Sequence, residues 1–161
     1  LRLSLLASNI ENMKIAGFRN AIAASYNSPN LILSVGEIDF RSLPVKLQNA
    51  DDKSVVIKNM ESFIKYAFKK IKSMVGVHQT ISIIAPPPPN DFNNKFDDRN
   101  EIHGLYTELV NNFVNNALTS DFNIITYVDV TDANGWLDKS NLIDHSHLKP
   151  AHYLNLIKTA H

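Results

Sequence analysis

"NLILSVGEI", residues 30 to 38, is the stretch whose reading decides the fold. Apolar residues fill it almost without interruption as far as Gly36. That is the pattern of a strand covered on both faces in a parallel sheet, not of a strand with one wet face. It runs straight into "DFRS" (39–42), so a glycine, two carboxylates and an arginine gather where the strand ends. Working outward, three further runs have the same character: "LRLSLLA" (1–7), "TISIIAP" (80–86) and "NIITYVDV" (123–130).

Helical patterns lie between these runs. In "ENMKIAGFRNAIAAS" (11–25), Met13, Ala16, Phe18, Ile22 and Ala23 offer a loosely helical face. The pattern is firmer in "DKSVVIKNMESFIKYAFKKIKSMV" (52–75), where Val56, Met60, Phe63, Ile64, Ala67, Phe68, Ile71 and Val75 recur at three and four. "RNEIHGLYTELVNNFVNNAL" (99–118) repeats it with Ile102, Leu105, Tyr106, Leu109, Phe113 and Leu118. A last helix is predicted near "KPAHYLNLIKTA" (149–160), with Pro150 suited to a first turn. Strands alternating with helices predict one three-layer α/β/α domain with a mainly parallel sheet and right-handed crossovers. The length, 161 residues, fits a single domain. Four prolines stop the third strand in "APPPPNDFNNKFDD" (85–98), whose polar tail reads as a mobile loop, a lid or a partner contact.

Composition narrows the function classes. Sixteen Lys and Arg balance sixteen Asp and Glu, so no net field favours a nucleic-acid partner or an anionic membrane. No apolar run approaches the roughly 18 residues of a membrane span. With no cysteine, disulfides, thiolate zinc sites and a cysteine nucleophile are excluded.

Ligands of such a sheet bind outside the carboxyl ends of the strands. The turn before the last helix belongs to that rim, and it contains "DHSH" (144–147), with His152 just beyond. Three readings are open. His145, His147 and His152 or Asp144 could ligate zinc or iron, although no other strand end adds a histidine, because His78 precedes its strand. Asp144 or Ser146 could cap the last helix, with the histidines solvated. Or Asp144 could accept a hydrogen bond from one imidazole nitrogen of His147, fixing the tautomer and leaving the other nitrogen as a general base.

A second element supports the third reading. Gly36-Glu37-Ile38-Asp39 resembles the third sequence block of the SGNH/GDSL hydrolase superfamily, usually Gly-x-Asn-Asp at a strand end. Asp144-His145-Ser146-His147 resembles its fifth block, Asp-x-x-His before the last helix. The variant "GEID-x-R", with Arg41, looks like a subgroup associated with carbohydrate or cell-surface modification. Arg99 and the helical Asn111 or Asn112 stand where that subgroup has an arginine and an asparagine. The likeness spans roughly residues 1 to 155 and implies a flavodoxin-like, SGNH-type α/β domain and serine-dependent acyl-ester hydrolysis or transfer. A small-molecule or saccharide ester is the implied substrate, and no cofactor is required. His147 takes the proton, Asp144 orients it, and Gly36, Asn9, Asp39 and Arg41 form the oxyanion and substrate-binding set. His145 and His152 are then bystanders. A non-catalytic domain that binds a glycan or scaffolds a larger enzyme is the rival class, and a metal-dependent hydrolase using His145 and His147 a third.

Two departures bear on this. Ile38 stands where the family has an asparagine donor, so a main-chain amide, Arg41 or Asn9 must serve instead. Arg41 is equally placed to pair structurally with Glu37 or Asp39. No Gly-Asp-Ser occurs, and the 28 positions from Ser8 to Gly36 suit the gap between the family's second and third blocks. On that spacing "LRLSLLASNIEN" is the second strand and its loop, and the first strand with its serine is expected upstream of Leu1. Otherwise "LRLSLLA" is the central strand and Ser8 the nucleophile, or Ser8 merely caps the helix starting near Glu11.

Overall fold

The computed structural model describes residues 1–8, 13–91, 96–144 and 147–159, the last three of these as backbone alone. Asn9, His145 and Ser146, named above, lie outside the described residues. Three strands form one parallel sheet in the order β1 (Asn30–Ser34), β2 (Thr80–Ile84), β3 (Asn123–Ile125). Asn30 lies opposite Thr80, Ser34 opposite Ile84, and Ser82 opposite Asn123. The last three predicted strands are thus present, each shorter than its apolar run.

The sequence pattern offers no helix over residues 39–51. Instead, Gly36 turns the chain at φ 80° and a 12-residue helix, α3 (Glu37–Gln48), follows at once. Its buried face, Phe40, Leu43, Pro44 and Leu47, has helical spacing, and Glu37 and Asp39 suit the positive end of the helix dipole. Pro44, a residue that usually breaks a helix interior, hid the pattern.

Residues 1–7 are likewise not a strand. A helix of five residues, α1 (Leu3–Ala7), buries Leu3 and Leu6 completely, and packs on α4 (Lys53–Met74). A short apolar run cannot be told from a buried helical turn by periodicity, and tertiary contact decided it. Both strand readings of "LRLSLLA" therefore fall. Leu1 alone runs beside the edge of β1: its nitrogen donates to Ser34 O at 3.4 Å, and Gly36 N–H donates to Leu1 O at 2.8 Å.

The two long predicted helices follow their periodicity, while the helix predicted in 11–25 departs from its expected face, with Ala23 exposed and Ile15 buried instead. In α4, Asp52 caps the start by accepting from Ser54 N–H at 2.8 Å, and Met60, Ile64, Ala67, Phe68 and Ile71 are buried. In α5 (Arg99–Thr119) the buried set is Ile102, Tyr106, Leu109, Phe113 and Ala117, while Leu118 is exposed. In α2 (Met13–Ala24) Ile15 and Ile22 carry the burial, and Met13 faces solvent. Last comes α6 (Pro150–Thr159), beginning on the expected proline. The main core lies between α1, α3, α4, α5 and one face of β1 and β2. Its centre is aromatic, with Phe113 edge-on to Phe40 at 5.6 Å and to Phe68 at 4.9 Å. The proline run is anchored: Tyr106 Oη donates to Pro87 O and Leu137 N–H to Pro89 O, while buried Asp91 pairs with Arg99; residues 92–95 of the polar tail expected to be mobile lie outside the described residues. Among the described residues, no helix is long and apolar enough to cross a membrane.

Gly36 is the tightest point of this frame. A Cβ there would meet Leu3 Cγ and Cδ1 at 2.8 Å, in a left-handed conformation unfavourable to any L side chain. Gly36→Ala is expected to destabilise the protein by about 2 kcal/mol or more. Gly104→Ala, with nothing within 4 Å and inside α5, is expected to stabilise by about 0.8–1 kcal/mol. Urea midpoints of the two variants check the contrast.

Candidate acid–base site

The site begins with a small hairpin. Leu142 and Leu148 pair as an antiparallel bridge, with Ile143 N–H donating to His147 O at 2.8 Å and Lys149 N–H to Asn141 O at 2.9 Å. Both leucines are buried with Val130 and Leu137 in a second apolar cluster, against which Tyr127 and Tyr153 pack. Apolar anchors on either side of the turn thus present Asp144 and His147 across it.

Asp144 does not cap α6. Its Oδ1 accepts from the backbone N–H of His147 at 2.9 Å, and its carboxylate meets His147 Nδ1 at 2.8 and 3.0 Å. On the other side, Arg41 Nη1 lies 3.3 Å from His147 Nε2. A guanidinium can only donate, so Nε2 accepts and Nδ1 carries the proton given to Asp144. The tautomer is therefore fixed from both sides, as a general base requires. The pair is open to solvent, with side-chain exposures of 54% for His147 and 50% for Asp144, so the pairing orients the ring more than it stabilises the fold.

Arg41 reaches the hairpin from α3, one turn beyond the carboxyl end of β1. Its Nη2 is held by Glu37 Oε1, four residues earlier on the same helix face. Tyr127 and Tyr153 stand beside this pair. Burial pushes the pKa of both phenols up, and the Glu37 carboxylate reinforces the effect, so both remain protonated. Sequence reading missed these tyrosines; the available signal was the position of Tyr127 two residues past a strand end.

The other predicted residues separate from this group. Asp39 is 4% exposed and lies about half a turn around α3 from Glu37 and Arg41. Its carboxylate takes the N–H of Leu3 at 2.7 Å and the hydroxyl of Ser4 at 3.2 Å, fixing the start of α1. Gly36 N–H is engaged by Leu1 O, so it is not directed at a substrate oxygen. The motif "GEID-x-R" thus divides, with Gly36 and Asp39 docking the first residues and Glu37 and Arg41 facing His147. Ser8 follows α1; its hydroxyl donates to Leu5 O at 2.8 Å and its carbonyl accepts from Lys70 Nζ at 3.0 Å. Lys70 belongs to the part of α4 that leads into the amino end of β2, which places Ser8 toward the wrong end of the sheet for His147.

Arg99 spans Asp91 and the Trp136 ring, 4.7 Å from its centroid, and so fastens the proline run to the 132–136 turn. His78 packs edge-on to Tyr26 with Nε2 against Tyr26 O at 2.8 Å, remote from the rim. His152, on α6, lines a cavity of about 360 Å³ with Tyr127, Val128 and Leu156. Among the described residues no three His, Asp or Glu side chains converge to hold a metal.

Fold and site together define an α/β domain with a parallel sheet and a carboxylate–imidazole–guanidinium group at its carboxyl rim. Compared with protein-family models, with curated proteins and with solved structures, the chain matches none.

Proposed function

We propose that this chain carries the acid–base half of a serine-dependent acyl-ester hydrolase or acyltransferase of SGNH type, on a three-layer α/β/α scaffold. The observation that supports the reading is the Asp144–His147 pair, with Nδ1 on the carboxylate and Nε2 held as acceptor beside the first strand's carboxyl end. A serine hydroxyl, which none of the residues described at this site supplies, attacks the acyl carbonyl and Nε2 takes its proton; the developing oxyanion is met by Arg41. Collapse of the tetrahedral intermediate expels the alcohol, which receives the proton from Nε2. Water, or an acceptor hydroxyl, then repeats the sequence on the acyl-enzyme. An O-acyl group on a saccharide is the proposed substrate class, resting on the family resemblance alone.

One observation favours a second reading, a non-catalytic binding or scaffold domain: Ser8 is turned to α1 and α4, not to His147. The test is hydrolysis of a chromogenic acetate ester by the purified protein, with and without a fluorophosphonate probe or a chelator. Turnover blocked by the probe and indifferent to the chelator is expected. An adduct mapped to Ser8 would make that residue the nucleophile. Loss on chelation would replace the serine mechanism by a metal site using His145 and His147. No turnover and no adduct would leave the binding domain.

A further inference from the structure

Arg41 is held in an unusual way. A guanidinium facing one carboxylate commonly pairs through two parallel N–H groups. Here Glu37 takes Nη2, Nη1 goes to His147 Nε2, and Nε is buried without a hydrogen-bond partner. A buried donor left without an acceptor costs about 1–3 kcal/mol, so the arrangement is tolerated, not optimal.

The position of the reacting oxygen follows from the distances. An oxygen exchanging a proton with Nε2 sits about 2.6–3.2 Å from it. Nη1 occupies that place in this structure, 3.3 Å from Nε2, so an oxygen that displaces it there stays within reach of the guanidinium. Two donors expected from the motif do not serve here: Ile38 has no polar side-chain atom and is exposed, and Gly36 N–H is engaged by Leu1 O. Arg41 must also leave Nε2 before His147 can accept a proton there, because two cations would otherwise face each other. Something must then keep the guanidinium from swinging into solvent. Tyr127 and Tyr153, both protonated, do not compete as anions.

We propose that Glu37 is the positioning residue of this site: it anchors Arg41 at Nη2, so that the guanidinium covers Nε2 of His147 at rest and pivots onto the substrate's carbonyl oxygen during turnover. The anchoring stands on geometry alone; its part in turnover rests on the acid–base reading above. The experiment combines nitrogen-15 NMR of the Arg41 guanidinium, identified by its loss in Arg41→Lys, with steady-state hydrolysis of a chromogenic acetate and urea unfolding.

In the unaltered protein, separate Nη1 and Nη2 signals are expected, because both groups are held. Glu37→Ala is expected to merge them and to lower kcat roughly 10- to 100-fold, with little change in KM or in the urea midpoint. Glu37→Gln, whose amide oxygen still accepts from Nη2, should fall between. Separate signals and undiminished kcat in Glu37→Ala would overturn the proposal. Merged signals with undiminished kcat would overturn its catalytic half. An unaltered protein that cleaves no ester, while Glu37→Ala still merges the signals, would overturn the acid–base reading and leave the anchoring of Arg41 in place.

Discussion

His147→Ala is expected to reduce ester turnover by about 10²- to 10⁴-fold, the usual contribution of a positioned general base. The fold should hardly notice. The imidazole is 54% exposed, and surface replacements of this kind stay within about 0.5 kcal/mol. The contact that shapes the hairpin is the backbone N–H of His147 to Asp144 Oδ1, which alanine retains. Leu142 and Leu148 remain as its apolar anchors. Asp144→Ala removes both the acceptor at Nδ1 and that backbone contact, so it should lose activity together with some local order. His145→Ala and His152→Ala are expected to keep most of the activity. Steady-state rates and urea midpoints of the set decide the matter, and equal losses in His145→Ala and His147→Ala would count against the pair and for a metal cluster.

Phe113→Ala is expected to cost about 3–5 kcal/mol, the range for deleting a fully buried phenylalanine. Its ring has no exposure and stands edge-on to both Phe40 and Phe68, which ties α5 to α3 and α4 at one point. Domains of this size are stable by only about 5–15 kcal/mol, so the loss would be a large share of the total. Because α3 carries Glu37 and Arg41, loosening its contact with α5 should also weaken the site. Leu118→Ala, on the same helix but exposed, is the control and should lie within about 0.5 kcal/mol. A urea-unfolding loss below about 1 kcal/mol for Phe113→Ala would contradict the placement of this residue at the centre of the core.

Much of this arrangement was written in local pattern. The long helices α4 and α5 announced themselves because a buried stripe at three and four survives any tertiary context, and nearly every residue so predicted in α4 is on the inner face. The parallel strands were visible as short apolar runs, and the order of strands and helices pointed to an α/β class. The Asp144–His147 pair was visible as well, since three residues across a turn suffice for a carboxylate to reach both the amide and the ring.

Other features were settled only by what each residue met in space. "LRLSLLA" has the composition of a strand, yet Leu3 and Leu6 find a partner in α4, and Asp39, 35 and 36 positions away, accepts from Ser4 and Leu3 to hold that first turn. Pro44 concealed α3, whose inner face is satisfied by α5 and α4. The division of "GEID-x-R" could not be read from its spelling: a helix sends residues 37 and 41 one way and 39 the other, but only the packing of α1 on one side and the hairpin on the other gives those directions a meaning. Arg41 reaches His147 across 106 positions of chain. The sequence determined the long helices, the three strands and the pair at the rim, because those depend on neighbours along the chain. The tertiary structure alone decided which charged residue faces His147, because that contact joins segments whose separation no local pattern encodes.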